Sequence, residues 1–256
     1  MINILNQPYI SLDQYVNTET FNDIIDDIVT AVSKSYHAAG PTNAGLGYLD
    51  RTYRSVHEIY RSIVSDTTHP YHEQLKKLKS WEPFTFVKYK WPSHSLGQCL
   101  ILRSAPGLSP SELAVACASE HAYLEKHDET KCKDYPIRAN FKALLDWLDA
   151  QDIFSSIGRT VVFLNDTGTK VLEHRDYANG RSRKDQFIWI SPIGDKRFYV
   201  RDETSKIYLK SKFCYFDNAN IHGSDQMTTA VFTIRIDGIF SKKFLAMTGL
   251  EEHFND

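Results

Sequence analysis

The second half of this chain is a series of short β-type segments separated by turn residues, and this pattern restricts the possible folds more than any other feature. From Arg159 to about Phe240, runs of β-branched and aromatic residues alternate with segments such as Ile193-Gly-Asp. The predicted strands are Thr160–Asn165, Gln186–Ser191, Arg197–Arg201, Lys206–Leu209, Phe213–Phe216 and Val231–Asp237. Short strands at this spacing are typical of a sandwich or barrel.

The first half is predicted to be mainly helical, with a few strands. Apolar residues recur at helical spacing over Ile24–Val32, Tyr53–Ile63 and Phe141–Leu148, and Ser109 carries the signals of a helix start. Strands are predicted over Phe84–Trp91 and Gln98–Arg103. No low-complexity linker interrupts the chain, so we expect one domain over residues 1–256, in which a helical-rich first half, about 1–158, packs on a β core of about 159–240.

Composition and charge exclude several classes of protein. The 256 residues are 42% hydrophobic and 24% charged, which is an ordinary globular balance. The net charge is −2 and no long run of one sign occurs, so nucleic acid is not an expected partner. No secretory signal and no apolar run of about 20 residues is present, and the four cysteines form no C-x-x-C pair. We therefore expect a cytoplasmic protein with reduced thiols and no membrane partner; the oligomeric state stays open.

The chemically informative residues lie inside the β-rich half. His174 and Asp176 are two positions apart, so an extended segment points both side chains to one face. His222 follows His174 by 48 positions, which is enough chain for about four strands and a return beside the first pair. Two imidazoles and one carboxylate leave coordination positions open, as in non-haem Fe(II) oxygenases and unlike closed structural zinc sites.

Other interpretations of these residues exist. An H-x-D triplet occurs by chance in many proteins, and His-Arg-Asp also opens the catalytic loop of protein kinases. The kinase interpretation fails, because Arg181 stands where that loop has asparagine and no D-F-G follows. Further histidines, such as His69 and His72, have no carboxylate at matching spacing in a predicted strand. A chance grouping without catalytic meaning stays open.

Arg235 adds a second signal. It lies 13 positions after His222 on the last predicted strand, within Val-Phe-Thr-Ile-Arg-Ile-Asp. A guanidinium in such an apolar strand is costly unless it binds an anion, and its planar fork suits a carboxylate.

These residues, together with three longer segments, resemble a known family. The segments are Thr160–His174, Phe198–Thr204 and Cys214–His222. The run from Arg159 to Asp237 resembles the Fe(II)/2-oxoglutarate-dependent oxygenases, and within them the aspartyl/asparaginyl β-hydroxylase-like branch, which includes free-proline hydroxylases. The first half gives no such match. The resemblance implies a double-stranded β-helix, a jelly-roll or cupin-like fold.

The resemblance also implies roles. His174, Asp176 and His222 would ligate Fe(II), and Arg235 would bind the distal carboxylate of the cosubstrate 2-oxoglutarate. With O2, this dioxygenase would hydroxylate an unactivated C–H bond of an amino acid, a peptide side chain or a small metabolite. Further candidates for contact with the cosubstrate are Lys184, Gln186, Ser224 and Asn165, and Trp189 is either a wall of the pocket or a core aromatic.

Two departures from the family limit what can be transferred. Many members of the branch have glycine at the position of Asp176, and the usual arginine falls nearer to Val231. The substrate therefore cannot be copied across. Two alternatives stay open: a cupin-type metalloenzyme that does not use 2-oxoglutarate, and a non-catalytic protein in which the triad is incidental. Arg235 separates the first alternative from the oxygenase, because only the oxygenase needs a carboxylate anchor there.

Overall fold

The computed structural model describes residues 4–38, 62–77, 98–105 and 128–254, apart from 6, 63, 70–71, 166, 169, 172, 177–183, 194–196 and 203. The predicted helix that starts at Ser109 and the predicted strand Phe84–Trp91 lie outside these residues, as does nearly all of the predicted helix Tyr53–Ile63. No helix among the described residues is both long and apolar enough to cross a membrane. The cytoplasmic location stays a prediction.

Helices lie in both halves of the described chain. They are α1 (Thr18–Asp23), α2 (Ile25–Ala38), α3 (His72–Lys77), α4 (Lys142–Ala150), α5 (Lys242–Thr248) and α6 (Glu251–Phe254), with a 3-10 helix over Pro136–Phe141. The predicted helices over Ile24–Val32 and Phe141–Leu148 are confirmed as α2 and α4. Asn17 caps α1, since its side chain accepts a hydrogen bond from the Thr20 amide at 3.1 Å.

The strands of the described residues form two antiparallel sheets. They are β1 (Ile10–Ser11), β2 (Gln98–Ser104), β3 (Lys133–Asp134), β4 (Phe154–Asn165), β5 (Phe187–Ile193), β6 (Phe198–Arg201), β7 (Lys206–Tyr208), β8 (Phe213–Tyr215), β9 (Ile221–Ser224) and β10 (Val231–Phe240). The large sheet has the order β1-β8-β5-β10-β4-β2-β3, and the small sheet has the order β7-β6-β9. The protein is thus mostly antiparallel β-sheet with helices at its margins.

From β4 onward the chain passes repeatedly between the two sheets. It runs from β4 and β5 in the large sheet to β6 and β7 in the small one, then to β8, β9 and β10 in the large, small and large sheets. A bridge between His174 and His222 adds the segment before Asp176 to the free edge of β9. Every strand pairing is antiparallel, and β5 and β8, which are not consecutive in the chain, are neighbours.

The predicted strands that fall within the described residues are confirmed, with three differences from the predicted pattern. β4 begins at Phe154, before the expected start of the β core at residue 159. The first half adds β1 and β3, which were not predicted, to the large sheet, together with β2, which confirms the strand predicted over Gln98–Arg103. β9 was not predicted from the sequence, and His222, which was expected to follow a turn, lies on that strand. The boundary near residue 158 stays a prediction.

Aromatic rings join the helices to the large sheet. Phe21 of α1 packs edge-on against Trp147 of α4 and Phe213 of β8, with ring centroids 4.9 and 4.8 Å away. Trp147 stacks on Phe213 at 5.3 Å. All three side chains are buried, and such pairs stabilise a core beyond the area they bury.

Candidate metal centre

Direct backbone pairing brings the two histidines together. The His174 amide donates to the His222 carbonyl at 3.0 Å, and the His222 amide donates to the His174 carbonyl at 2.9 Å. Their ring centroids are 4.4 Å apart. Gly223 permits this approach, because a Cβ atom at that position would lie 2.9 Å from the carbonyl oxygen of Val171.

Asp176 completes the group. Its Oδ1 lies 3.5 Å from Nε2 of His174 and 3.4 Å from Nε2 of His222. The Asp176 amide donates to the Asn218 carbonyl at 3.1 Å, which fixes the backbone beside β9. With metal–ligand bonds of about 2.1 Å, two neighbouring ligand atoms lie about 3 Å apart. The three side chains therefore have the spacing and the donor atoms to share one metal ion.

The protonation states also suit a metal. Nδ1 of His222 lies 2.8 Å from the Asn220 carbonyl, which can only accept, so Nδ1 carries the hydrogen and Nε2 keeps its lone pair. Burial lowers the pKa of His222, and the charge of His174 acts in the same direction, although Asp176 opposes both. Burial raises the pKa of Asp176, but the close approach of the His174 and His222 imidazoles and the charge of Arg235 outweigh it and hold that pKa well below its ordinary value.

A buried set of polar side chains, which we call the inner cluster, surrounds the second oxygen of Asp176. Oδ2 of Asp176 accepts from Nδ2 of Asn218 at 2.8 Å and from Nη1 of Arg235 at 2.7 Å. Oδ2 of Asp185 accepts from the same two side chains, at 2.6 and 3.1 Å. Oδ1 of Asp237 accepts from Nε of Arg235 at 2.8 Å. The inner cluster thus consists of Asp176, Asp185, Asn218, Arg235 and Asp237.

Arg235 binds carboxylates of the chain, whereas the family resemblance implies that it binds the distal carboxylate of 2-oxoglutarate. Its guanidinium, in a residue only 5% exposed, binds carboxylates of Asp176, Asp185 and Asp237 and lies 4.1 Å from the Phe187 ring centroid. The buried cation does meet anions, as the sequence predicts, but these anions come from the chain itself. The reason is the register: Arg235 lies opposite Val161 and Trp189, level with Asp176.

The other predicted cosubstrate contacts are not gathered at the triad. Nζ of Lys184 donates to the His253 carbonyl at 2.6 Å, and Oε1 of Gln186 accepts from the Phe240 amide at 2.6 Å. Oγ of Ser224 accepts from the Val171 amide at 2.8 Å. These hydrogen bonds tie neighbouring segments together, and none of them connects to His174, Asp176 or His222.

Aromatic side chains form a wall from the large sheet to His222. Trp189 stacks on Phe163 at 5.7 Å and contacts Phe198 at 4.9 Å. Phe198 and Phe216 lie 5.7 and 5.4 Å from the His222 ring. The side of β4 and β10 that carries Phe163 and Arg235 therefore faces the triad of His174, Asp176 and His222.

Asn165 lies on this inner face as well. It pairs with Val231 in the same regular register that places Val161 opposite Arg235, and alternation keeps residues 161, 163 and 165 on one side of β4. The residue is 3% exposed, and neither atom of its amide has a hydrogen-bond partner among the described residues. Such a buried amide is costly and therefore needs an explanation.

Three members of the inner cluster were not predicted from the sequence. Asp185 precedes a predicted strand, Asp237 is the last residue of another, and Asn218 lies in the segment before His222, so each was visible as a polar residue in or beside a strand. Their convergence depends on which strands become neighbours, and a single sequence does not reveal this.

Comparisons with known proteins add little. No family profile matches the chain, and no curated protein matches it. Among solved structures, it has a partial similarity to a viral collagen prolyl hydroxylase from Paramecium Bursaria Chlorella virus-1, solved as a 2OG complex. That similarity has a TM-score of 0.27 and 11% sequence identity, and it covers 41% of this chain and 72% of that chain. A similarity of this size supports neither a fold nor an activity.

Proposed function

We propose that this protein is a non-haem Fe(II)- and 2-oxoglutarate-dependent oxygenase that hydroxylates an amino acid, a peptide side chain or a small metabolite. The observation that carries the proposal is the convergence of His174, Asp176 and His222 within a two-sheet antiparallel fold. Two imidazoles and one carboxylate on one side of an ion leave the remaining positions for ligands, which is the arrangement that such iron sites use.

The topology supports a double-stranded β-helix. The strand order β8-β5-β10-β4 in the large sheet, and the order β7-β6-β9 followed by the His174 segment in the small one, give two four-stranded faces. Consecutive segments switch between these faces, as in a jelly roll. The triad then lies where the His174 segment ends and β9 begins.

The charges around the triad favour a divalent cation. Asp185 and Asp237 are buried carboxylates, Asp176 is partly buried, and Arg235 offsets one of their charges. Arg159 lies 4.0 Å from Asp237 and offsets a second one in part. Buried negative charge in excess is unfavourable, so a bound cation should stabilise the fold.

The chain's own residues would prepare the site. His174, Asp176 and His222 would hold the ion, and the ring wall of Trp189, Phe198 and Phe216 would limit the access of water. Fe(II), when bound together with 2-oxoglutarate and O2, would supply the oxidising chemistry for C–H hydroxylation. Asn165, with its unpartnered amide on the inner face, is our candidate for contact with the cosubstrate.

The engagement of Arg235 favours a second candidate, a cupin-type metalloenzyme that does not use 2-oxoglutarate. Arg235 already donates hydrogen bonds to three carboxylates of the chain. Its guanidinium is therefore not positioned to bind the distal carboxylate of 2-oxoglutarate instead. Asn165 could donate a hydrogen bond there but brings no charge.

One set of measurements tests both candidates. We expect Fe(II), or Mn(II) as its redox-stable substitute, to raise the melting temperature of the wild type but not of His174→Ala. The metal-loaded wild type should then bind 2-oxoglutarate and slowly release succinate without added substrate. Equal succinate production by His174→Ala contradicts the oxygenase proposal. Metal binding without any 2-oxoglutarate binding favours the second candidate, and the absence of metal binding rejects both.

A further inference from the structure

The two oxygens of Asp176 have different surroundings. Oδ1 faces Nε2 of both histidines, at 3.5 and 3.4 Å. Oδ2 faces away from them and accepts hydrogen bonds from Asn218 and Arg235, at 2.8 and 2.7 Å. A carboxylate held in this way can offer one oxygen to an ion while the other remains bound to the protein.

The two donors are themselves fixed by one carboxylate. Oδ2 of Asp185 accepts from Nδ2 of Asn218 at 2.6 Å and from Nη2 of Arg235 at 3.1 Å. Asp185 is buried, so these hydrogen bonds form away from bulk water. Hydrogen bonds between ionised groups are strong where water is excluded, and this arrangement should therefore be rigid.

Arg235 is held on its other side as well. Its Nε donates to Oδ1 of Asp237 at 2.8 Å, and the flat face of the guanidinium covers the ring of Phe187 at 4.1 Å. The orientation of the fork is therefore set by Asp185, Asp237 and Phe187 before any ligand arrives. Lysine could keep the charge but could not reproduce this planar set of contacts.

We propose that Asp185, Asn218 and Arg235 are positioning residues that lock Asp176 as a one-oxygen metal ligand, so Arg235 acts on the metal through Asp176 and not as the anchor of a cosubstrate. The inference rests on the proposed function, because it requires Asp176 to be a metal ligand. Outer partners that orient a metal-ligating carboxylate typically contribute a factor of about 10 to 100 in metal affinity.

The test compares Asp185→Asn, Asn218→Leu and Arg235→Lys with the wild type, without 2-oxoglutarate. Asp225→Asn is the matched control, since Asp225 is also a carboxylate with several donors, Lys206 and Tyr208 among them, but it belongs to a separate network. The affinity for Mn(II) is measured by electron paramagnetic resonance titration, and the coordination of Co(II) by its visible absorption spectrum. Thermal unfolding of each metal-free variant verifies folding.

We expect the three variants to bind Mn(II) about 10- to 100-fold more weakly than the wild type. We also expect an altered Co(II) spectrum, because an unlocked Asp176 can turn and bind through both oxygens. The control should match the wild type in both measurements. A role confined to fold stability would change the melting temperature but leave the Co(II) spectrum unaltered.

The possible failures are distinguishable. If the wild type binds Mn(II) and all folded variants match its affinity and spectrum, the positioning inference is overturned while the proposed metal site stands. If the wild type itself binds neither Mn(II) nor Co(II), the proposed function and the inference fall together. Should Arg235→Lys not fold, the Asp185 and Asn218 variants still decide the result.

Discussion

The protein has two charged networks that differ in their exposure to water. The inner cluster, centred on Arg235 of β10, is buried except for the partly buried Asp176. The outer face of the small sheet carries a second network, which we call the outer cluster, whose members are Glu173, Tyr199, Arg201, Lys206, Tyr208 and Asp225. There Tyr199 donates to Glu173 at 3.0 Å, Arg201 pairs with Glu173, and Lys206 pairs with Asp225 at 2.6 Å. The charged side chains of the outer cluster stay between about a quarter and two fifths exposed.

The comparison shows that exposure to water changes how much similar contacts contribute to stability. In the outer cluster water screens each pair, so the contacts can form and break at little cost. In the inner cluster the same chemical groups have lost their hydration, and removing one partner leaves its neighbours unpaired. A chain that buries two carboxylates and an arginine, with a third carboxylate partly buried beside two histidines, carries a destabilising feature that a metal site would explain.

The largest expected loss of stability comes from removing the positive charge at the centre of the inner cluster. Arg235→Leu should destabilise the fold by about 3–5 kcal/mol, because three carboxylates, two of them buried, lose their common cation. Arg201→Leu, the matched change in the outer cluster, should cost at most about 1 kcal/mol. Urea unfolding measures both. Similar losses in the two variants would remove the distinction between the clusters.

Gly223 lies between the two clusters and tests their separation. In Gly223→Ala, the new methyl group would meet the Val171 carbonyl at 2.9 Å and the Glu173 amide nitrogen at 3.2 Å, so β9 must move away from the His174 segment. We expect a loss of about 1–3 kcal/mol in stability and a clear loss of Mn(II) affinity. Wild-type affinity in this variant would mean that the backbone pairing of His174 with His222 does not position the site.

Substitution of Asn165 should raise the stability of the fold, whereas the substitutions above lower it. Because its buried amide has no hydrogen-bond partner in the described part of the chain, Asn165→Leu should stabilise the metal-free fold by about 1–2 kcal/mol in urea unfolding. The same variant should bind 2-oxoglutarate more weakly under the proposed function. A destabilised variant would show that the amide has a partner in solution, such as a bound water, and that it serves the fold.

The smallest expected effect concerns the pH dependence of the outer cluster. Hydrogen bonds from Lys206 and Tyr208 lower the pKa of Asp225 against a weaker opposing effect of burial. Since the folded-state pKa lies below the unfolded one, Asp225 stabilises the fold above the ordinary aspartate pKa, and this contribution is lost as the pH falls through the lowered value. Between about pH 5 and pH 3 the wild type should therefore lose slightly more stability in urea than Asp225→Asn. Equal losses of stability in the two proteins would show that Asp225 does not cause this pH dependence.

The local elements of this protein were predictable because their patterns are local. Alternation over Val231–Asp237 and helical spacing over Phe141–Leu148 report directly which side of an element is apolar. β9 was missed because Ile221–Ser224 is four residues long and contains glycine and serine, which carry little strand signal. Its existence depends on pairing with β6 and with the His174 segment.

The sequence by itself determined that His174 and Asp176 point the same way, that enough chain follows for His222 to return, and that a cation in an apolar strand must meet an anion. Only the tertiary structure decided which anion Arg235 meets. The register of β10 brings it to Asp176 and Asp185, in addition to Asp237 two positions further along the same strand, so that it binds the chain's own carboxylates. The physical reason is that side-chain direction follows from alternation within one strand, whereas the partner across a fold depends on register and on strands far apart in the chain.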